Sequence, residues 1–169
     1  MKIENTNYVC HLIERAKEGT KKAFLDLCEI NLSNIFTLAY RLSADLNAAK
    51  LITLRTFFSS WDRLSMYSPE IPYSEWLKNM VILDSIAELK KNPISSKTQN
   101  EPNEFESDNE LLEQLILSLP AKDRLIFVLH DMERYSYPQI KNFLETYETD
   151  EIKTNLIKTR EYLMNQISL

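Results

Sequence analysis

The stretch LPAKDRLIFVLHDMERYSYPQIKNFLETYETDEIKTNLIKTREYL, residues 119–163, decides the architecture. In it Leu125, Ile126, Leu129 and Met132 return at three- and four-residue steps, the period of one buried helix face. Ser136-Tyr137-Pro138-Gln139 then places Ser and Gln at capping-box spacing, with a proline in the first turn, where its missing N–H costs nothing. That predicts a short helix from about Tyr137 to Glu145. After residues 146–149 a last helix starts near Asp150, burying Ile152, Leu156 and Leu163 and offering Lys153, Lys158 and Arg160 to solvent. Short helix, turn, longer helix is the helix-turn-helix arrangement.

Upstream of this stretch, Leu111, Leu112, Leu115 and Leu119 form another apolar stripe, which Pro120 terminates. Residues 92–108, NPISSKTQNEPNEFESD, carry two prolines and few apolar side chains, too little buried surface to offset the entropy of ordering. They read as a flexible linker between a unit at 1–91 and a unit at 109–169. In the first unit one helix runs from about Val9 to Glu18 and stops at Gly19, since glycine enters the left-handed cap conformation without a Cβ penalty. From Thr20 on, Phe24, Leu27, Cys28, Ile35, Leu38, Ala39 and Leu42 mark a second helix. A third, about Asn47 to Leu64, carries Leu51, Leu54, Phe58 and Trp61 on one side. A fourth, with Ser74 as its N-cap, turns Tyr73, Trp76, Leu77, Met80 and Leu83 toward the core. Strand alternation is absent at useful length, so the fold class is all-α, a helical bundle tethered to a helix-turn-helix unit.

Composition narrows the function. The chain has 169 residues, 44% hydrophobic and 27% charged, the make-up of a folded protein. A single glycine excludes glycine-rich phosphate cradles. Cys10, Cys28, His11 and His130 lack the paired spacing of a zinc site, so no metal or other cofactor is expected. The cysteines read as helix-face residues. Neither histidine has a nucleophile or a paired acid at a recognisable spacing, so there is no candidate catalytic residue and the chain is not expected to be an enzyme. No apolar run reaches the roughly 18 to 20 residues that span a bilayer, and the first residues lack a signal-peptide pattern, which points to the cytoplasm. The net charge is −5, with 12 basic and 11 acidic residues in 1–91 and 7 and 10 in 109–169. Any nucleic-acid contact therefore needs a local positive stripe rather than a basic domain.

The order of motifs resembles the sigma-70 family of bacterial transcription initiation factors, extracytoplasmic-function type, over nearly the whole chain. AKEGTKKAFLDLCEINLSNIFTLAYRLSADLNAAKLITLRTFFSSW followed by PYSEWLKNMV is similar to the family's region 2. LPAKDRLIFVLHDMERYSYPQIKNFL and IKTNLIKTREYL resemble region 4. The resemblance implies partners: the β′ subunit and β flap of core RNA polymerase, promoter DNA at its −10 and −35 elements, and an anti-sigma factor. It implies DNA contacts from Ser136, Lys153, Thr154, Asn155, Lys158 and Arg160, through phosphates and base edges. Polymerase docking would fall on Leu51, Leu54, Arg55 and Phe58.

Several positions depart from the family's pattern. Leu51, Leu54 and Arg55 stand where its members present Asp, Gln and Glu to the polymerase. Ile82, Leu83 and Ala87 stand where polar residues face the −10 strand. Glu148, Asp150 and Glu151 precede the recognition helix, where they would repel phosphates. Such apolar replacements are either buried in a repacked bundle or form an exposed patch for a protein partner. Trp61 and Trp76 read as core; Tyr67 and Tyr73, near the loop before the fourth helix, are better candidates for holding an unstacked base, with surface packing as the alternative. Lys153, Lys158 and Arg160 are either the solvated face of an amphipathic helix or a shared positive face for DNA. A degenerate sigma-like adaptor, binding proteins without reading promoters, is the alternative.

Overall fold

Every regular element among the described residues is helical, as the periodicities predict. The computed structural model describes residues 2–91 and 108–167, with side chains from Asn7 to Lys91 and from Glu110 to Ile167. Four helices precede the gap: α1 (Lys2–Lys17), α2 (Lys21–Ser43), α3 (Leu46–Arg63) and α4 (Tyr73–Lys91), with a 3-10 turn at Leu64–Met66. Four follow: α5 (Asp108–Ser118), α6 (Ala121–Phe127), α7 (Tyr137–Leu144) and α8 (Thr149–Ile167), with a π-helical turn at Val128–Met132. The expected linker, 92–108, lies outside the described residues except for Asp108, which opens α5.

The helix ends follow local chemistry. Gly19, at φ +89°, closes α1, its N–H donating to the Ala16 carbonyl at 2.9 Å. Ala44 takes the same left-handed cap role after α2 at φ 52°, with its N–H on the Tyr40 carbonyl. Asp45 caps α3, its Oδ1 accepting from the Ala48 N–H at 2.6 Å. Ser74 is not a cap: α4 already begins at Tyr73, because Pro72 supplies the first accepting carbonyl, to the Trp76 N–H at 3.0 Å.

Burial corrects two apolar assignments. Leu83, expected in the core, is exposed, while Ile82 beside it is fully buried. Tyr73 is buried, as its place on the fourth helix predicts, and Tyr67 is buried with it, their rings 5.5 Å apart and each within 6 Å of Trp76. The Tyr67 hydroxyl donates to the Ile71 carbonyl at 2.8 Å. This aromatic knot closes the 3-10 turn onto α4, so neither ring is open to an unstacked base. Trp61 is partly buried and packs on Phe24, ring centroids 4.8 Å apart.

The buried face of α3 is Ala49, Ile52, Thr53, Thr56 and Ser60. Apart from Ile52 these side chains are small or hydroxylated, and the face packs against α2 and α4. Leu51, Leu54 and Phe58, about 100° of helix per residue away from that face, point outward instead.

The buried residues of both halves form one continuous hydrophobic cluster, from Leu12 and Leu27 through Ile82 to Ile126, Ile140 and Leu156. At the junction lies Arg124, fully buried, with all four of its hydrogen bonds on main-chain carbonyls. Nε and Nη2 donate to Leu42 and Ser43 at the end of α2, both at 3.3 Å. Nη1 donates to Leu119 and Leu117 at the end of α5, at 2.6 and 3.3 Å. A cation is favoured at each of these helix ends, where the unsatisfied carbonyls concentrate negative potential. Burial lowers the guanidinium pKa to about 10, which leaves it charged at neutral pH.

Candidate nucleic-acid and partner interfaces

In α7 the capping box forms as predicted: the Ser136 N–H and its hydroxyl both donate to Gln139 Oε1, each at 2.8 Å. Ser136 is exposed at the helix start, beside Tyr137. Helix α8 buries Ile152, Leu156, Thr159 and Leu163 against α5, α6 and α7, and its other side meets solvent.

The three cations of α8 do not share one face. Lys153 and Arg160, seven residues apart, lie on the flank toward Tyr137 and Asp131, while Lys158 lies on the opposite flank. The Lys153 Nζ sits 5.7 Å from the centre of the Tyr137 ring and 3.4 Å from Asp150. Arg160 grips Asp131 with two nitrogens, Nε to Oδ2 at 2.8 Å and Nη2 to Oδ1. His130 completes this cluster, with Nδ1 2.8 Å from Asp131 Oδ1 and its ring stacked on Tyr137 at 4.6 Å. The hydrogen bond from Arg160 holds the Asp131 carboxyl below the usual carboxylate range, against the opposing effect of burial. The π-helical turn, whose wider winding carries His130 and Asp131, supports this cluster; such turns occur at functional sites more often than their rarity predicts.

On the other flank Lys158 is exposed and makes no ion pair among the described residues. It lines a groove with Lys122, Asp150, Glu151, Thr154 and Asn155. Thr154 is exposed and donates to the Asp150 carbonyl at 2.8 Å, while Asn155 is half-buried and donates to Asp123 at 2.6 Å. Lys122 was not visible as a site residue in the sequence, since it belongs to α6; its position two residues after Pro120, in a first turn, was the available signal. Its ammonium lies over the Tyr147 ring at 4.1 Å and pairs with Glu151 at 2.5 Å.

Each acid before or at the start of the recognition helix has a lysine partner: Glu148 with Lys141, Asp150 with Lys153, Glu151 with Lys122. The repulsion expected of these carboxylates is thus neutralised locally. The lysines are correspondingly occupied, though in exposed pairs worth about 1 kcal/mol or less, which a phosphate can displace.

The second surface lies on α3. Leu51, Leu54 and Phe58 are 41, 56 and 69% exposed and recur at helical spacing along one stripe. Arg55 beside them pairs with Glu88 of α4 at 2.7 Å. No described residue covers the stripe; α8 also exposes Ile157, Tyr162 and Met164, there interleaved with Lys153, Lys158 and Arg160.

No family model matches the chain. In sequence it is similar to the ECF RNA polymerase sigma factor SigW of Bacillus subtilis, 23% identical over 177 aligned positions covering 92% of this chain and 94% of that protein. In fold it is similar to the sigma factor RpoE of Bartonella quintana, solved in complex with the anti-sigma factor NepR. That likeness has a TM-score of 0.64 at 16% identity, covering 88% of this chain and 98% of the other. It is also similar to CnrH, solved in complex with the cytosolic domain of CnrY, with a TM-score of 0.58 at 17% identity over 93% and 95% of the two chains. The fold is therefore the all-helical, two-unit fold of these structures. The near full-length sequence match makes the chain similar to a sigma-70 family member of the extracytoplasmic-function type. Among the described residues no helix is long and apolar enough to cross a membrane.

Proposed function

We propose that the chain is a cytoplasmic sigma factor that binds core RNA polymerase and directs it to promoter DNA, with residues 1–91 acting as region 2, 92–108 as linker and 109–169 as region 4. The observation that carries this reading is the outward flank of α8, where Lys158, Thr154 and the neighbouring Lys122 line an open groove at the start of a helix-turn-helix recognition helix. Lys153 and Arg160 serve phosphates on the other flank once released from Asp150 and Asp131, and Ser136 meets the backbone at the start of α7. Leu51, Leu54, Arg55 and Phe58 are the proposed polymerase-docking residues, using apolar contact where the family uses acids. The complexes of RpoE with NepR and of CnrH with CnrY support an anti-sigma protein as a further partner. The role requires no covalent chemistry.

A second reading, the adaptor that binds proteins without reading promoters, is favoured by the tight clamp of Asp131 on Arg160 and by the apolar stripe of α3. Reconstitution separates the two. Adding the chain to core polymerase should give promoter-dependent open complexes, and Lys158→Ala should weaken −35 binding while reducing its salt slope by about 0.9. Polymerase binding with no promoter dependence, indifferent to Lys158→Ala, would establish the adaptor.

A further inference from the structure

A cleft of about 440 Å³ runs between α8 and the turn that joins α5 to α6. That volume is within the range of about 300–1,000 Å³ that small-molecule sites occupy. Asn155, Lys158 and Tyr162 line one wall, at the three- and four-residue steps of a single helix flank. Leu119, Pro120 and Asp123 line the other. Asn155 gives its amide N–H to Asp123 at 2.6 Å, which leaves its Oδ1 buried in the cleft wall with no partner among the described residues. A carboxylate accepts at about four sites, so Asp123 keeps acceptor capacity beyond that one bond. Lys158 is exposed and makes no ion pair among the described residues. Tyr162 is 46% exposed and Pro120 is exposed as well.

Buried acceptors in native proteins nearly always have a donor, so an orphan in the wall of a cavity points to a ligand that supplies one. The cleft calls for two donors side by side, one for Asn155 Oδ1 and one for Asp123. Among the nucleobases, guanine carries such a pair on its Watson–Crick edge, N1–H beside the N2 amino group. Adenine and cytosine set an acceptor beside their donor there, and uracil holds one donor between two acceptors. A guanidinium also offers paired donors, but it is a cation, and the Lys158 ammonium repels it and favours an anion instead. Tyr162 and Pro120, on opposite walls, supply aromatic and apolar contact for a flat ring. In a duplex that edge of guanine is paired with cytosine, so the cleft selects an unpaired base.

We propose that this cleft binds a free guanine nucleotide, with the paired donors of the base on Asn155 and Asp123, its ring against Tyr162 and its phosphate on Lys158. The binding stands on the cleft alone. Its consequence rests on the sigma reading: Lys158 is also the proposed −35 contact, so an occupied cleft withdraws that charge from the duplex and lowers promoter affinity.

The test is isothermal titration calorimetry of the full chain, without DNA or polymerase, against GMP, AMP and guanosine. GMP should bind at a single site with a Kd below about 200 μM. AMP, which turns an acceptor toward Asn155 and Asp123, should bind at least about tenfold more weakly. Lys158→Ala should weaken GMP about fivefold and leave guanosine unchanged, since only the phosphate meets the ammonium. Tyr162→Ala should weaken both about tenfold, and Tyr162→Phe neither. Lys158 and Tyr162 are exposed, so the fold does not depend on them. No saturable binding at about 1 mM GMP, equal affinity for AMP, or a Lys158→Ala loss shared by guanosine would each overturn the proposal. A guanine in a single-stranded trinucleotide offers the same groups; if it displaced GMP at lower concentration, the free nucleotide would not be the ligand. The titration is independent of the open-complex assay, so the cleft and the sigma reading fail separately.

Discussion

Helices α3 and α8 are nearly the same length, 18 and 19 residues, and bury different kinds of side chain. Helix α8 sinks Ile152, Leu156 and Leu163 into the core and leaves most of its charges in water. Helix α3 sinks Ala49, Thr53, Thr56 and Ser60 alongside Ile52, and shows Leu51, Leu54 and Phe58 to solvent. Helix α8 also exposes Ile157, Tyr162 and Met164, but among its charges. The stripe on α3 is contiguous, and exposing three large apolar side chains along it contributes nothing to the fold and invites association. The difference teaches which parts of the chain are shaped by the protein's own interior and which by something outside it.

Four substitutions press on that contrast. The largest effect belongs to Leu156→Asp in the buried face of α8: a carboxylate with no partner in the core should cost about 4 kcal/mol or more and unfold the C-terminal helices, read by urea denaturation. On the α3 side of the core, Ser85 of α4 is fully buried with its hydroxyl unpartnered among the described residues. Ser85→Ala should therefore stabilise, by about 1 kcal/mol in the same measurement. A loss of stability there would show that the hydroxyl has a partner after all.

Asp131→Asn tests the clamp on α8. Freed of its carboxylate, Arg160 should raise affinity for a nonspecific duplex about threefold and steepen the salt slope by about 0.9, followed by fluorescence anisotropy. Lowering the pH of the wild type to about 5 should not reproduce this. The Asp131 carboxyl is held below its ordinary value of about 3.9, so the clamp is intact above that value and is lost only as pH falls through the lowered one. The smallest effect on the fold belongs to Leu54→Ser: stability should stay within about 0.5 kcal/mol, since the side chain is already in water. Should polymerase or anti-sigma binding fall at least tenfold in the same variant, the stripe is a docking surface. Unchanged binding of both would remove α3 from the partner interface.

The helix count and the helix-turn-helix were legible because periodicity and capping chemistry are local: the stretch 136–139 specifies its own turn wherever it sits. The partition of α3 was less legible. A stripe at Leu51, Leu54 and Phe58 looks in sequence like any core face, and only packing reveals that the hydroxylated side of the helix is the buried one. The base-holding role read for Tyr67 and Tyr73 fails for a related reason, since a loop-like neighbourhood hid an aromatic knot built from residues on both sides of it, although the core position of Tyr73 was legible. The flank assignments of Lys153, Lys158 and Arg160 follow from simple helical geometry, but the carboxylates that occupy two of them come from α8 itself and from a π-helical turn, and a π turn has no sequence signature here. Arg124 was invisible altogether: a charged residue in the last turn of a short helix reads as surface, and its burial depends on two helix ends meeting that are far apart in the chain.

That last feature binds the fate of the two halves together when the protein is heated. One guanidinium terminates both α2 and α5, so unravelling either end strands carbonyls belonging to the other. Calorimetry of the intact chain should then record a single endotherm, and a variant whose halves have been pried apart should record a pair.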